Sequence, residues 1–185
     1  MTSALHTDRR RLMLAAASGL ADRFDPANVG VEELAAAMNV GRQDFEDEFG
    51  SLENYFTAVQ LQFFEGRLNS VIGKAGAMAP GIERIRCAWS GYLDYSVEHA
   101  AVHGWCRRAR LRFPSMQEET RRRNHGVLLM IQIEFATLGR PNPMERARLA
   151  VGMVLETVRV EGEARVRNEA MRALLWSALE MLART

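Results

Sequence analysis

Asp44, Glu46, Asp47 and Glu48 place four carboxylates within five residues, directly after Arg42 and Gln43. Acidic side chains so close together can do acid–base work where a pocket shifts their pKa values, or can accept hydrogen bonds from a cationic partner. No phosphate-binding glycine loop, nucleophile elbow or His/Asp pair accompanies them. They therefore point to a binding surface, and no enzyme is expected. A second cluster has the opposite sign: Arg107, Arg108 and Arg110, then Arg112 and Arg121, Arg122 and Arg123. It could take an anionic ligand, an acidic protein surface or nucleic acid, or it could be a solvated face. A third set is aromatic. Trp89, Tyr92, Tyr95 and Trp105, with Met130, could line a pocket for a small molecule or could be ordinary core. His99 and His103 stand four apart, a spacing that can hold a metal. They lack a third ligand, so no metal and no cofactor is expected. Cys87 and Cys106 are too few for a disulfide framework and are expected to be buried, reduced thiols.

These groups are positioned by helices. Apolar residues recur at helical spacing in nearly every stretch between breakers, which predicts an all-α chain of about nine helices. Leu12, Ala16, Leu20 and Phe24 define the first, ending near Asp25-Pro26, where proline moves its predecessor out of the helical region. Val31, Leu34 and Ala35 begin a short second helix that closes at Met38-Asn39, asparagine tolerating the left-handed turn required there. Phe45 and Phe49 give the third helix an inner face, and Ser51 is placed to cap the fourth. A long fourth helix carries Tyr55, Phe56, Val59 and Phe63. A fifth runs from Ile82 to about His99, a short basic sixth from Trp105 to Phe113, and a seventh starts at Pro114-Ser115. The breaker Gly139-Arg140-Pro141-Asn142-Pro143 precedes two amphipathic terminal helices, about 144–161 and 163–184. Met171, Leu174, Leu175, Ala178 and Leu182 form the stripe of the last.

The chain has 185 residues, 48% of them hydrophobic and 25% charged, a composition that supports a sizeable core and excludes a disordered chain. No apolar run approaches the ~20 residues of a membrane span. Arg9-Arg10-Arg11 before Leu12-Met13-Leu14 resembles the start of a secretion signal, but the apolar stretch breaks at Ser18-Gly19, so a cytoplasmic protein is expected. The net charge of +1 conceals an asymmetry. Residues 1–55 hold five basic and ten acidic groups, whereas residues 56–185 hold nineteen and thirteen. Such a division bears on partners more than on fold.

Leu34-Ala35-Ala36-Ala37-Met38-Asn39-Val40-Gly41, followed by Phe45, Phe49, Ser51, Glu53 and Tyr55, resembles the helix–turn–helix of TetR-type bacterial regulators. Arg10 with Met13-Leu14-Ala15-Ala16-Ala17 looks like that family's first helix. The resemblance implies a helix–turn–helix head over residues 1–50 and a C-terminal effector-binding and dimerisation body over residues 51–185. It implies a homodimer formed by the last two helices of each subunit, with Met153, Val154, Thr157, Met171, Leu174, Leu175, Ala178 and Leu182 at the interface. The effector would lie among Trp89, Tyr92, Tyr95, Trp105 and Met130, and would alter the spacing of two DNA-binding heads. Arg10, Arg11, Arg42, Gln43, Asp44, Glu46, Asp47 and Glu48 would occupy the contact surface.

At that surface the chain departs from the family. Gly30 and Gly41 replace the usual capping Thr and Ser, Gln43-Asp44 replaces a Gly-Thr pair, and Leu52 replaces a Lys. Glu46 and Glu48 stand where phosphate-contacting Tyr and His are usual. A phosphate backbone attracts cations. Each opposed carboxylate costs on the order of 1 kcal/mol at several ångströms and high effective dielectric. Three functions follow as expectations: a DNA-binding regulator, a relative that has lost DNA binding and uses its acidic head on a basic protein as antagonist or adaptor, or a ligand- or lipid-binding protein that uses only its body.

Overall fold

The structure, a computed structural model, describes the backbone of residues 2–184 and the side chains of residues 8–184. Among the described residues the chain is helical throughout, without a strand. Helix α1 comprises Thr2–Ala15 and, after a turn at Ala16, a continuation at Ala17–Leu20. It is followed by α2 (Val31–Ala37), α3 (Arg42–Phe49), α4 (Leu52–Ala75), α5 (Ile82–Glu98), α6 (Ala100–Arg112), α7 (Pro114–Thr137), α8 (Pro143–Ala164) and α9 (Glu169–Arg184). The number and order agree with the periodicity of the sequence. No helix among the described residues is long and apolar enough to cross a membrane.

Helix ends follow local chemistry. Asn39 adopts φ 57°, the left-handed turn anticipated between α2 and α3. Gly30 has no side chain with which to cap α2, but its N–H donates to the Glu33 carboxylate at 2.8 Å, leaving one half of a capping box. The Ser51 hydroxyl accepts from the Asn54 N–H at 3.2 Å and caps α4. Pro143 occupies the first turn of α8, where its missing N–H costs nothing.

Packing divides the chain into two units. One is Met1–Phe64 with Ala101–Gln117; the other is Glu65–Ala100 with Glu118–Thr185. This is not the division at residue 50 expected from the sequence. The first unit extends into α4 and recruits α6, because Trp105, Cys106, Ala109 and Met116 belong to the same buried cluster as Met13, Leu34, Phe45, Phe49, Tyr55 and Phe56. A three-helix head is short of apolar volume, and a large aromatic from elsewhere in the chain supplies it. Trp105 is fully buried, 4.6 Å from Phe56 between ring centroids, and its indole N–H donates to Phe24 O at 2.8 Å. The second unit has a separate core, including Ile85, Trp89, Leu93, Phe135, Ala147, Ala150, Val154, Leu175 and Leu179.

Candidate functional site

In the head, Phe45, Phe49 and Tyr55 form a ring cluster with centroid separations of 5.0 to 5.4 Å, which fixes α3 against the start of α4. With Phe45 and Phe49 inward, Arg42, Gln43 and Asp47 stand exposed, while Asp44, Glu46 and Glu48 are half-buried. This is the helix presentation expected of a groove-reading surface.

The acids of α3 are held by neighbours. Asp44 pairs with Arg9 of α1, whose Nε also lies 4.0 Å from a Glu48 carboxylate oxygen. Arg42 pairs with Glu32 of α2 and donates from Nε to Glu46 at 2.7 Å. The hydrogen bond to Glu46 and then the charge of Glu32 raise the Arg42 pKa above its ordinary value. Gln43 donates to Asp47 at 2.8 Å. Arg10 donates to the Glu48 carbonyl at 2.6 Å and lies over the Phe49 ring, closing the C-terminal end of α3. Arg11 pairs with Asp8 at 3.0 Å in the open. The structure therefore changes the simple picture of four bare carboxylates: Arg9 and Arg42 partly neutralise three of them, and Gln43 donates to the fourth. Arg9 and Glu32 complete this network. Arg9 sits four residues before Met13 on the inward side of α1, a register that the Arg9-Arg10-Arg11 run did not reveal on its own.

The arginines of α6 are not a free anion patch. Arg108 donates to Ala21 O at 3.3 Å and lies 3.7 Å from Asp25; Arg110 donates to Gln60 at 2.8 Å. Arg112 donates to Pro26 O and Val29 O at 2.9 and 3.0 Å. These bonds tie α6 to the loop that opens the helix–turn–helix, satisfying carbonyls a loop would otherwise leave to water. Arg107 points outward on the same helix.

In the second unit, Trp89 and Tyr92 are buried and Tyr95 is half-buried on one face of α5. The other two expected ligand residues part from them. Trp105 belongs to the head's core, and Met130 is 56% exposed. Helical spacing places residues on a face but does not tell one core from another.

The expected dimerisation residues divide in the same way. Val154, Thr157 and Leu175 are buried inside the subunit, whereas Leu174 is 72% exposed and Met153, Met171, Ala178 and Leu182 are half-buried. The inward stripe of α9 is Arg172, Leu175, Leu179 and Ala183, about one residue from the expected register. Leu149, Leu174 and Met181 are the exposed large apolar side chains of α8 and α9. Arg172 was not anticipated. It donates to both oxygens of the fully buried Glu161 at 2.6 and 2.7 Å and to Asp94 at 2.5 Å. An arginine interrupting the apolar stripe of α9 was the available signal.

His99 stacks on Tyr95 and His103 on Phe63, so the two rings serve as aromatic packing. Among the described residues no group of three His, Cys, Asp or Glu side chains could hold a metal. Cys106 is buried and its thiol is pushed up to about 12 by burial, which makes it inert, while Cys87 is half-buried rather than buried.

No family model matches the sequence, and no curated protein sequence matches it either. Solved structures do. A TetR-like transcriptional regulator from Rhodococcus sp. RHA1 is 18% identical at a TM-score of 0.79, over 96% of this chain and 97% of that one. A second transcriptional regulator from the same organism is 18% identical at a TM-score of 0.78, over 94% and 95%. The TetR-family regulator PfmR from Thermus thermophilus is 15% identical at 0.68, over 94% and 97%. Matched over nearly its whole length, the chain has the fold of the TetR-type transcriptional regulators.

Proposed function

We propose that the chain is a homodimeric, cytoplasmic transcriptional regulator whose head docks α3 in a DNA major groove and whose second unit binds a small effector. The observation that carries this is the head itself. Its aromatic cluster and the left-handed Asn39 hold α2 and α3 in a helix–turn–helix, with Arg42 and Gln43 on the outer face. Arginine pairs bidentately with guanine and glutamine with adenine, so these two side chains are the base readers. To reach bases they exchange Glu46, Glu32 and Asp47 for DNA. Arg10 and Arg11 are placed to meet the backbone. Dimerisation through the exposed Leu149, Leu174 and Met181 would set two α3 helices about one DNA turn apart, ~34 Å. The effector acts by changing that spacing.

The test is a mobility-shift assay at low salt with fragments flanking the gene that encodes the chain. A regulator of this kind binds with affinity that falls steeply as salt rises. Absence of a shift at every salt concentration overturns the reading.

The ion pairs of the head favour a second reading. Six carboxylates (Glu32, Glu33, Asp44, Glu46, Asp47 and Glu48) stand against Arg42 and the Arg9 that reaches Asp44 and Glu48. Such a surface suits a basic protein partner, making the chain an antagonist or adaptor. That protein gives no mobility shift but binds a basic partner with the same steep salt dependence.

A further inference from the structure

The outward face of α8 carries a charge pattern that is its own complement. Glu145, Arg148, Leu149, Gly152, Glu156 and Arg159 are all exposed, and helical spacing gathers them into one stripe. Gly152 stands at its middle. Glycine weakens a helix interior relative to alanine, and a Cβ at this position would meet nothing within 4 Å in the subunit. Packing inside the subunit therefore gives no reason for it, whereas close approach of a second backbone does.

The charges are arranged about that glycine. Four residues before it is Arg148 and four after it is Glu156; seven before it is Glu145 and seven after it is Arg159. A second α8 laid antiparallel, with the two-fold axis at Gly152, sets Arg148 against Glu156 of the partner subunit and Glu145 against Arg159 of the partner subunit. The symmetry makes each contact twice, giving four ion pairs between unlike charges. Leu149, 61% exposed, then lies beside Leu155 of the partner subunit. Other arrangements lack this match. Moving the axis two residues toward the C-terminus opposes Glu145 to Glu163, and a parallel pair opposes every charge to its own copy. Within the subunit Glu145 and Arg148 have no ion-pair partner among the described residues. Arg159 holds Glu156 and Glu163 at 2.5 and 2.7 Å, but these pairs are open to water and exchangeable.

We infer that α8 is the self-recognition element of the protein: two copies of this chain join antiparallel with the two-fold axis at Gly152, and the Arg148–Glu156 and Glu145–Arg159 pairs select an identical chain as partner. Complementary charge acts here as it does at interfaces generally, by fixing register and rejecting partners that set like charges together. The inference rests on the homodimer reading, to which it adds the register and the basis of partner choice.

The experiment is sedimentation equilibrium of the full chain, with circular dichroism to check folding. Wild-type chains should dimerise, less tightly as salt rises. Arg148→Glu and Glu156→Arg, each alone, set like charges opposite one another twice and should weaken the homodimer about tenfold or more. Mixed in equal amounts, the two variants should form a heterodimer about as tight as the wild-type dimer, because the exchanged pairs are again of opposite sign. Both reversals in one chain should restore the homodimer in the same way. Gly152→Cys in a Cys87→Ser chain should close a disulfide with its own copy under air oxidation, since a residue on the axis meets itself. A wild-type dimer insensitive to the reversals, a mixture without preference for the heterodimer, or no cross-link at 152 overturns this inference alone. If a reversal fails to fold, the cross-link decides, because it leaves every charge in place. A monomeric wild-type chain removes both the inference and the homodimer reading. A dimer of this register that shifts no DNA upholds the inference and removes the regulator reading.

Discussion

Arg42 in the head and Arg172 in the body each hold two carboxylates, Glu32 and Glu46 in the first case and Glu161 and Asp94 in the second. The Arg42 side chain is 61% exposed; that of Arg172 is 3% exposed, and Glu161 is fully buried. Water competes for every charge in the first network, so it contributes little to folding and its partners are exchangeable. In the second, removing one partner strands a buried charge. The same residue types thus serve a replaceable outer surface in one region and a fixed joint among α5, α8 and α9 in the other.

The sharpest way to break that contrast is Glu161→Ala. It should cost about 3–5 kcal/mol in urea denaturation because Arg172 is left buried without its main partner. A cost near that of a surface substitution would show that water reaches the joint. Next in size is Leu174→Glu with Met181→Glu, which places charge on the exposed apolar face of α9. Sedimentation should find monomers whose helical content is unchanged, and a persistent dimer would move the interface elsewhere. Asp44→Asn, Glu46→Gln and Asp47→Asn together release Arg9, Arg42 and Gln43 and remove repulsion from phosphate. DNA affinity at low salt should rise about tenfold or more. A fall would mean that the carboxylates themselves read bases.

A smaller effect sharpens the comparison through pH. Burial raises the pKa of Asp94, but hydrogen bonds from Arg172 and Lys74 outweigh it and hold the carboxyl below its ordinary value. The stability it supplies is present above the unfolded pKa of about 4 and is lost as pH falls through the lower folded value. Asp94→Asn should therefore flatten the acid limb of a thermal-stability profile below about pH 4; an unchanged limb would assign that loss to other carboxylates. Smallest of all, Arg42→Ala should leave the thermal midpoint where it is while weakening DNA binding. A lowered midpoint would place this pair among the structural ones.

The helices and their order were legible because periodicity and breakers are local. The Asn39 turn, the Ser51 cap and Pro143 at the start of α8 are each decided by one residue's backbone preference or hydrogen-bonding side chain. The site was only half legible. Spacing put Phe45 and Phe49 inward and the acids of α3 outward, but it did not pair Asp44 with Arg9, thirty-five residues away. The family resemblance grouped Trp105 with Tyr92 around an effector, although the two belong to different cores. It read the apolar stripe of α9 as an outer seam where Leu175 faces the subunit's own interior.

From the chain of residues alone came nine helices, a helix–turn–helix and an acidic third helix, since propensity, capping and charge are properties of neighbours in sequence. The folded molecule alone decided which side chains share a core, that Glu46 and Asp47 already hold Arg42 and Gln43, and that Arg172 lies buried on Glu161. Those outcomes depend on which distant helices meet, and a distance in space between residues far apart in sequence is not encoded in the spacing of either one.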